Sequence, residues 1–363
     1  MFEIIFFISL CIYFILFVII TIGLNKKFPK KDDNSLPTVS IIVAARNEQD
    51  NILDCLKSLD KQIYPQNKIE IIIVDDKSTD NTKNIVLDFI KDIPKFKCIT
   101  TSEEIGHLKG KTNALANGIK IASGDIILTT DADCTPPEQW AITMVSYFNE
   151  KVGVVCGFTT QESYNAFSGM QAIDFCFLQS VAAGVMNLGK PITCIGNNMA
   201  FTKKAYIEVG GYESLEFSVT EDFKLLQAIV NTGKYQSIYP LDKNSLNVSK
   251  PCKDLKTLYW QKKRWGVGGL EAAIEDYLIM AAGFVMNILI ILSPFFISQN
   301  LIWLLISKFF IDYSYLKFLL KRWEIDKILK YFFAFEIYYI IYVIILPFVV
   351  LFSRKVVWKG RKY

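Results

Sequence analysis

The stretch ILTTDADCTPPEQW, Ile127 to Trp140, is an apolar run that ends abruptly in two carboxylates, Asp131 and Asp133, one residue apart. A short β-branched run of this kind, bounded by turn residues, reads as a strand buried on both faces of a parallel sheet. The strand signal begins at Gly124, and two similar runs lie upstream: TVSIIVAA (Thr38 to Ala45), followed by Arg46-Asn47-Glu48, and IEIIIVDD (Ile69 to Asp76). Helical spacing fills the intervals at Asn51 to Leu59, Asn81 to Ile90 and Thr112 to Ala122, the last stopped by Ser123-Gly124. This alternation predicts βαβ units and a doubly wound, mostly parallel α/β domain. Ligands of such sheets bind beyond the carboxyl ends of the strands. Glu48, Asp75, Asp76, Asp131 and Asp133 would therefore gather at one edge, a costly crowd unless a cation or a proton-demanding reaction uses it.

Composition sets the surroundings of that domain. Of 363 residues, 52% are hydrophobic and 14% aromatic, and the apolar residues cluster at the two ends of the chain, the pattern of a membrane-anchored protein. Ile4 to Leu24 holds no charge and is long enough to cross a bilayer as a helix. A cleaved signal peptide is the competing reading, disfavoured by Glu3 in place of a basic residue and by the length of the run. Lys26, Lys27, Lys30 and Lys31 follow at once, which marks the cytosolic side and places the middle of the chain in the cytosol. Eight cysteines stand singly without a C-x-x-C pair, as expected of reduced residues in that compartment. His107 is the only histidine, so histidine-rich zinc sites are excluded and acid–base chemistry falls to carboxylates. A net charge of +4 from 40 basic and 36 acidic residues is too small to argue for nucleic acid.

Each acidic motif has a plainer reading beside its chemical one. Asp131 and Asp133, if the chain stays extended, can point to one side and hold a hard divalent cation, Mg²⁺ or Mn²⁺, which bridges diphosphate oxygens. The alternative is a helix cap before TPPEQW, although a cap needs only one Asp. In VDDKSTDNT, capping accounts for Ser78, Thr79 or Asp80 and leaves Asp75 and Asp76 for nucleoside recognition, with Glu48 able to do the same. Gly110 and Lys111 precede a helix, where phosphate is welcome, but the Walker spacing of an NTPase is missing. His107 beside them reads as a loop residue. Thr220-Glu221-Asp222 opens an expected helix from Asp222 to Val230, so it is either a capped first turn or the source of a general base. Gln261, Arg264 and Trp265 share one helix face; they suit a sugar or a diphosphate, and the surrounding Trp260, Lys262 and Lys263 equally suit a headgroup-level belt.

Taken in order, SIIVAARNE, VDDKSTD, GKTNALANG, TTDADC, GNNMAF, TED and QKKRW resemble the family 2 inverting glycosyltransferases with a GT-A fold, in their membrane-integrated branch. The likeness covers about residues 38 to 266 and rests on the ordered set rather than on any single element. It implies that Asp131 and Asp133 bind a metal-diphosphate, that Glu48 with Asp75 or Asp76 contacts the nucleoside, and that Lys111 helps at the donor. It further implies Asp222 as general base, with Glu221, Gln261, Arg264 and Trp265 at the acceptor or diphosphate.

Toward the carboxyl end, Tyr277 to Ser307 is uncharged and broken by SQN at Ser298 to Asn300, and Ile337 to Ser353 is a further apolar run. Between them Lys308 to Lys327 carries charges at helical spacing, which suggests an interfacial or re-entrant segment. The expected organisation is an anchor (1–24), a linker (25–37), a GT-A domain (38–270), a membrane region (271–353) and a basic cytosolic tail (354–363). So few helices make a poor tunnel for a growing polymer, and the WKGRKY ending is similar to that of lipid-glycosylating enzymes such as ceramide glucosyltransferases. The expected partners are a nucleotide-sugar, UDP-linked, a lipid or glycan acceptor and the plasma or inner membrane. A processive polysaccharide synthase and a non-catalytic nucleotide-sugar sensor are the rival readings; protein partners are not legible.

Overall fold

The computed structural model describes residues 1–31, 36–101, 104–271, 274–358 and 361–362. Part of the expected linker (32–35) and of the expected tail (359–360 and 363) lies outside the described residues. The chain opens with α1 (Phe2–Leu24), β1 (Val39–Ala45), α2 (Ile52–Asp60), β2 (Ile69–Asp75), α3 (Thr82–Ile90) and β3 (Phe96–Thr100). It continues through α4 (Gly110–Ile121), β4 (Ile126–Asp131), α5 (Trp140–Ser146), β5 (Val152–Cys156), β6 (Thr159–Gln161) and α6 (Ala166–Asn187). Then come β7 (Met199–Thr202), α7 (Lys203–Glu208), α8 (Glu221–Asn231), β8 (Gln236–Ile238), β9 (Asn247–Ser249) and α9 (Leu255–Gly268). Last are α10 (Ile274–Leu292), α11 (Gln299–Arg322), α12 (Phe332–Phe352) and the hairpin of β10 (Val357–Trp358) and β11 (Arg361–Lys362).

Two compact units result. One, the sheet unit, comprises residues 26–160 and 189–250; the other, the helical unit, comprises 1–25, 161–188 and 251–363. The boundaries expected from sequence differ from this division, because residues 161–188 and 251–270 group with the helices rather than with the sheet. Helix α6 was not singled out in the sequence: its residues are apolar nearly all round, which gives no amphipathic period to read.

The sheet unit is built on a seven-stranded sheet of order β3-β2-β1-β4-β7-β5-β8. Strands β1 to β4 pair in parallel, and β7 runs antiparallel to both β4 and β5. This is the mostly parallel, helix-covered sheet that the alternating pattern predicts. Ile41, Ile71, Ile73 and Leu128 from the strands pack with Leu56, Leu59, Trp140 and Met144 from the helices, all buried. Register then fixes the site: Ala45 stands opposite Asp75 and Ala44 opposite Asp131, so both acids reach the same edge.

The opposite edge is pinned by Glu70. Its Oε1 accepts from Ser40 Oγ at 2.5 Å and from Ser123 N at 2.5 Å, and its Oε2 meets Lys97 Nζ at 2.7 Å. Burial acts to raise its pKa, but Lys97, Ser40 and Ser123 outweigh that and hold it down at about 2.

In the helical unit α1 crosses α6 at paired glycines. A Cβ on Gly23 would lie 1.9 Å from the Gly184 carbonyl oxygen, so only glycine permits this approach. Among the described residues four helical segments are long and apolar enough to cross a membrane: Phe2–Leu24, Ala166–Asn187, Asp276–Phe296 and Asp326–Phe352. The break expected at Ser298 to Asn300 is present, with the Ser298 side chain capping α11. Of the charges that read as a surface face between Lys308 and Lys327, Lys308 and Asp312 are buried in α11, whereas Lys317, Lys321 and Arg322 are exposed. Lys308 Nζ lies 2.7 Å from Asp312 and 2.6 Å from Glu336 of α12, and Tyr13 of α1 donates to Asp312 at 3.0 Å. Partners contributed by two other helices make a buried face out of residues that read as surface.

Glu70→Gln tests the pinned edge. With a folded pKa near 2 against an ordinary 4.5, the carboxylate contributes its stability above about pH 4.5 and loses it as pH falls toward 2. The half-exposed Lys97 limits the contribution to about 2 kcal/mol. Denaturant titrations of the two proteins should differ by that amount at pH 6 and converge as pH falls from 4.5 to 3; a constant gap would remove the electrostatic account.

Candidate active site at the carboxyl edge of the sheet

Strands β1 and β2 both leave the sheet through left-handed residues, Asn47 (φ 52°) and Lys77 (φ 56°). Side chains tie the two exits together. Arg46 Nη1 donates to the Asp76 carbonyl at 2.7 Å, Asn47 Oδ1 accepts from Thr79 N at 2.8 Å, and the Glu48 N–H donates to Thr82 Oγ1 at 2.7 Å. Glu48, Asp75 and Asp76 are all buried. Glu48 Oε2 accepts from Asn51 at 2.7 Å, Asp75 Oδ1 from Ser78 N at 3.2 Å, and Asp76 Oδ1 from Thr101 Oγ1 at 3.4 Å. None of Ser78, Thr79 and Asp80 is the N-cap of α3, which is Asn81 without a side-chain cap bond; Asp80 Oδ1 instead accepts from Thr82 N at 3.0 Å just ahead of the helix. That leaves Asp75 and Asp76 outside the capping role, as the sequence suggests.

Beyond β4 the chain does not stay extended. A turn closes from Asp131 O to Cys134 N at 3.1 Å, so the assumption that put Asp131 and Asp133 on one side is corrected. Both carboxylates nevertheless act on the buried thiol of Cys55. Burial first, and then the negative charges of Asp133, Asp131 and Glu48, push that thiol far above its ordinary pKa. The cap alternative falls away, because α5 begins only at Trp140 with Gln139 at its N-cap. Among the described residues no group of three His, Cys, Asp or Glu forms a ready metal site. Two carboxylates with room for phosphate oxygens are, however, a donor set that suits Mg²⁺ or Mn²⁺.

Lys111, in the first turn of α4, links this edge to α8. Its Nζ lies 2.6 Å from Asp131 Oδ1 and 3.2 Å from Glu221 Oε1. Burial acts to lower its pKa, but Asp131, Glu221 and Asp222 outweigh that and hold it well above the ordinary lysine value. The amine is therefore a fixed cation. Asp222, next to Glu221, accepts from Gly196 N through Oδ2 at 2.5 Å and from Phe223 N through Oδ1 at 2.8 Å. A Cβ on Gly196 would lie 3.1 Å from Asp222 Oδ2, so a glycine there leaves that carboxylate its place. Thr220 occupies the N-cap position of α8 without a side-chain cap bond, its Oγ1 lying 3.1 Å from Ser218 Oγ instead, so a threonine cap does not explain the motif. His107 is a loop residue, as expected, with Nε2 2.7 Å from the Leu215 carbonyl.

The asparagines of GNNMAF do work that sequence reasoning left unassigned. Asn198 is fully buried; it accepts from Trp140 Nε1 at 2.8 Å and donates to the carbonyls of Phe158 at 2.6 Å and Ser245 at 2.8 Å. Asn197 Oδ1 accepts from Thr159 Oγ1 at 2.8 Å. Together they fix the turn that presents Gly196 to Asp222. Two adjacent asparagines before a strand were the available signal, but their partners lie 38 to 58 residues away. Gln261, Arg264 and Trp265 belong to α9 of the helical unit. There Trp265 stacks on Phe175 with centroids 5.4 Å apart, and the Lys262 ammonium lies 4.3 Å from its ring centroid.

A model described as Glycosyl transferase family 2 matches residues 40–210, and one described as Glycosyl transferase family group 2 matches residues 126–353. The chain is 28% identical over 251 residues to a poly-beta-1,6-N-acetyl-D-glucosamine synthase of Staphylococcus epidermidis, covering 68% of this chain and 58% of that one. It is 28% identical over 258 residues to a beta-monoglucosyldiacylglycerol synthase of Nostoc sp., covering 69% and 53%. Among solved structures it resembles the mannosyltransferase PcManGT of Pyrobaculum calidifontis in complex with GDP-Man and Mn²⁺, with a TM-score of 0.63, 20% identity, and 93% and 98% of the two chains covered. The chain spans about half to three-fifths of the length of the curated relatives it matches.

Asn198→Ala should destabilise the sheet unit by about 2–4 kcal/mol, because it takes the partner from the Trp140 indole N–H and from the Ser245 carbonyl, while the Phe158 carbonyl keeps the Asn247 N–H. Thermal unfolding reads this directly, and a loss below about 0.5 kcal/mol, the level of an ordinary surface substitution, would mean that the turn is held by other contacts.

Proposed function

The chain belongs to glycosyl transferase family 2, and on that premise we propose that it is a membrane-bound inverting enzyme moving a sugar from a UDP-linked donor to a lipid or lipid-like acceptor. The observation that carries the reading is the constellation Asp131–Lys111–Glu221–Asp222, in which one fixed cation stands among three carboxylates on two elements. Asp222 serves as general base. Its carboxylate takes the proton of the acceptor hydroxyl as that oxygen bonds to the anomeric carbon, and the bond from that carbon to the diphosphate oxygen breaks on the opposite face. Two backbone N–H groups aim the carboxylate, so its orientation is set before the acceptor arrives.

Glu48, Asp75 and Asp76 are assigned to the nucleoside, in keeping with acceptor oxygens that can meet base N–H groups or ribose hydroxyls. Asp131 and Asp133 would hold a divalent cation, Mg²⁺ or Mn²⁺, whose charge stabilises the departing diphosphate. Lys111, 2.6 Å from Asp131 Oδ1, holds that carboxylate in place. Glu221, Gln261, Arg264 and Trp265 are assigned to the acceptor or the diphosphate. Support for a lipid acceptor comes from the apolar helices, from the lipid glycosyltransferase among the relatives and from a helical unit of modest size. The presence of a polysaccharide synthase among the relatives favours processive synthesis as the second reading.

Asp222→Asn should leave donor binding intact and lower turnover by about 10²–10⁴-fold, the usual contribution of a general base; turnover within a factor of ten of the parent would remove it from that role. Replacing Asp131 and Asp133 together by Ala should abolish the Mn²⁺ dependence of nucleotide affinity, read by calorimetry with UDP. Affinity that responds to Mn²⁺ as before would move the cation elsewhere. The reading as a whole is tested by incubating detergent-purified protein with radiolabelled UDP-sugars, Mn²⁺ and a total lipid extract. Discrete label in the chloroform phase supports lipid transfer, whereas ethanol-insoluble label means polymer synthesis.

A further inference from the structure

Residues 247–250 have no place among the sequence motifs, yet they are laced to the turn that carries Asp131 and Asp133. Asn247, fully buried in β9, donates through Nδ2 to Thr130 Oγ1 and to the Asn197 carbonyl, each at 3.0 Å. The next three residues meet the turn in reverse order. Thr135 N donates to the Val248 carbonyl at 2.8 Å, Cys134 bridges antiparallel to Ser249, and Lys250 N donates to the Asp133 carbonyl at 3.3 Å. All of these residues belong to the sheet unit. Backbone pairing thus sets Lys250 beside Asp133, independently of its side chain.

The side chain is open to a ligand. It is 31% exposed, and its ammonium lies 4.0 Å from Asp54 Oδ2, whose side chain is 56% exposed. Asp54 adjoins Cys55, whose thiol donates to the Asp131 carbonyl at 3.6 Å, which keeps the ammonium close to the turn. An ion pair at that distance and exposure is worth little, so the flexible lysine stem can turn to a stronger anion at small cost. Charge says which anion that is. The edge gathers Asp131, Asp133, Glu221 and Asp222, and the ammonium of Lys111 is held by Asp131 and Glu221. The charge of a divalent cation on Asp131 and Asp133 is absorbed by those two carboxylates, so a diphosphate leaving beside them calls for a further cation. Lysine binds phosphate as a point charge and needs no fixed geometry to do so.

We propose that Lys250 binds the diphosphate of the nucleotide donor, as the cation next to Asp133. The inference rests on the assignment of Asp131 and Asp133 to a metal-diphosphate, and its test separates the two. Full-length protein in detergent is titrated calorimetrically with UDP and with uridine, each with and without Mn²⁺. Lys250→Gln should weaken UDP binding about tenfold, the scale of one charged hydrogen bond, and leave uridine binding unchanged, while Lys250→Arg keeps both. UDP affinity equal to that of the parent overturns the proposal. So does an equal loss for UDP and uridine, which would mean that Lys250 only holds the turn. The metal assignment fails separately: if Mn²⁺ changes nothing in the parent but Lys250→Gln still loses UDP selectively, Lys250 stands and the cation does not. If Lys250→Gln does not fold, acetic anhydride labelling of the parent decides: UDP should protect Lys250 from acetylation where uridine does not, and equal labelling refutes the site.

Discussion

One ammonium allows the acidic edge of the sheet to exist. Parallel pairing forces β1, β2 and β4 to end on the same side, and α8 adds Glu221 and Asp222 to that ground. Carboxylates crowded in partly buried space drive one another toward protonation. Lys111 reverses this by standing between Asp131 and Glu221, and in return the carboxylates hold it charged. Beside that pair the backbone N–H groups of Gly196 and Phe223 hold the Asp222 carboxylate.

The helical unit follows a different logic. Some of its charged residues lie inside and are matched: Lys308 with Asp312 and Glu336, Lys262 with Asp174. Buried ion pairs contribute little net stability compared with apolar packing, yet removing one member is severe. Such pairs therefore specify which helices meet more than they strengthen the meeting. Aromatic contacts complete the unit, with Phe17, Phe177, Tyr315 and Tyr339 touching ring to ring across α1, α6, α11 and α12.

Strands β1, β2 and β4 and helices α2, α3, α4 and α8 were legible in the sequence to within about two residues at most ends, because their apolar residues repeat at periods set by the backbone. The acids at the strand ends were legible for the same reason. Misreadings arose where distant residues change the meaning of a local one. Lys308 and Asp312 read as an interfacial face until Glu336 and Tyr13 enclose them. Asp131 and Asp133 read as an extended pair until the turn at Cys134 bends the chain. Asn197 and Asn198 carried no role until Thr159 and Trp140 supplied their partners.

What the sequence determined by itself is the family, the βαβ order, the apolar helices and the inventory of carboxylates with a single histidine. These depend on residue type and spacing along the chain. Only tertiary structure decided that Lys111 bridges Asp131 to Glu221, that Gly196 holds Asp222, and that Asp174 answers Lys262. Partners such as Asp174 and Lys262 lie 88 residues apart, and no period along a chain encodes a distance that is fixed only when the chain has folded back upon itself.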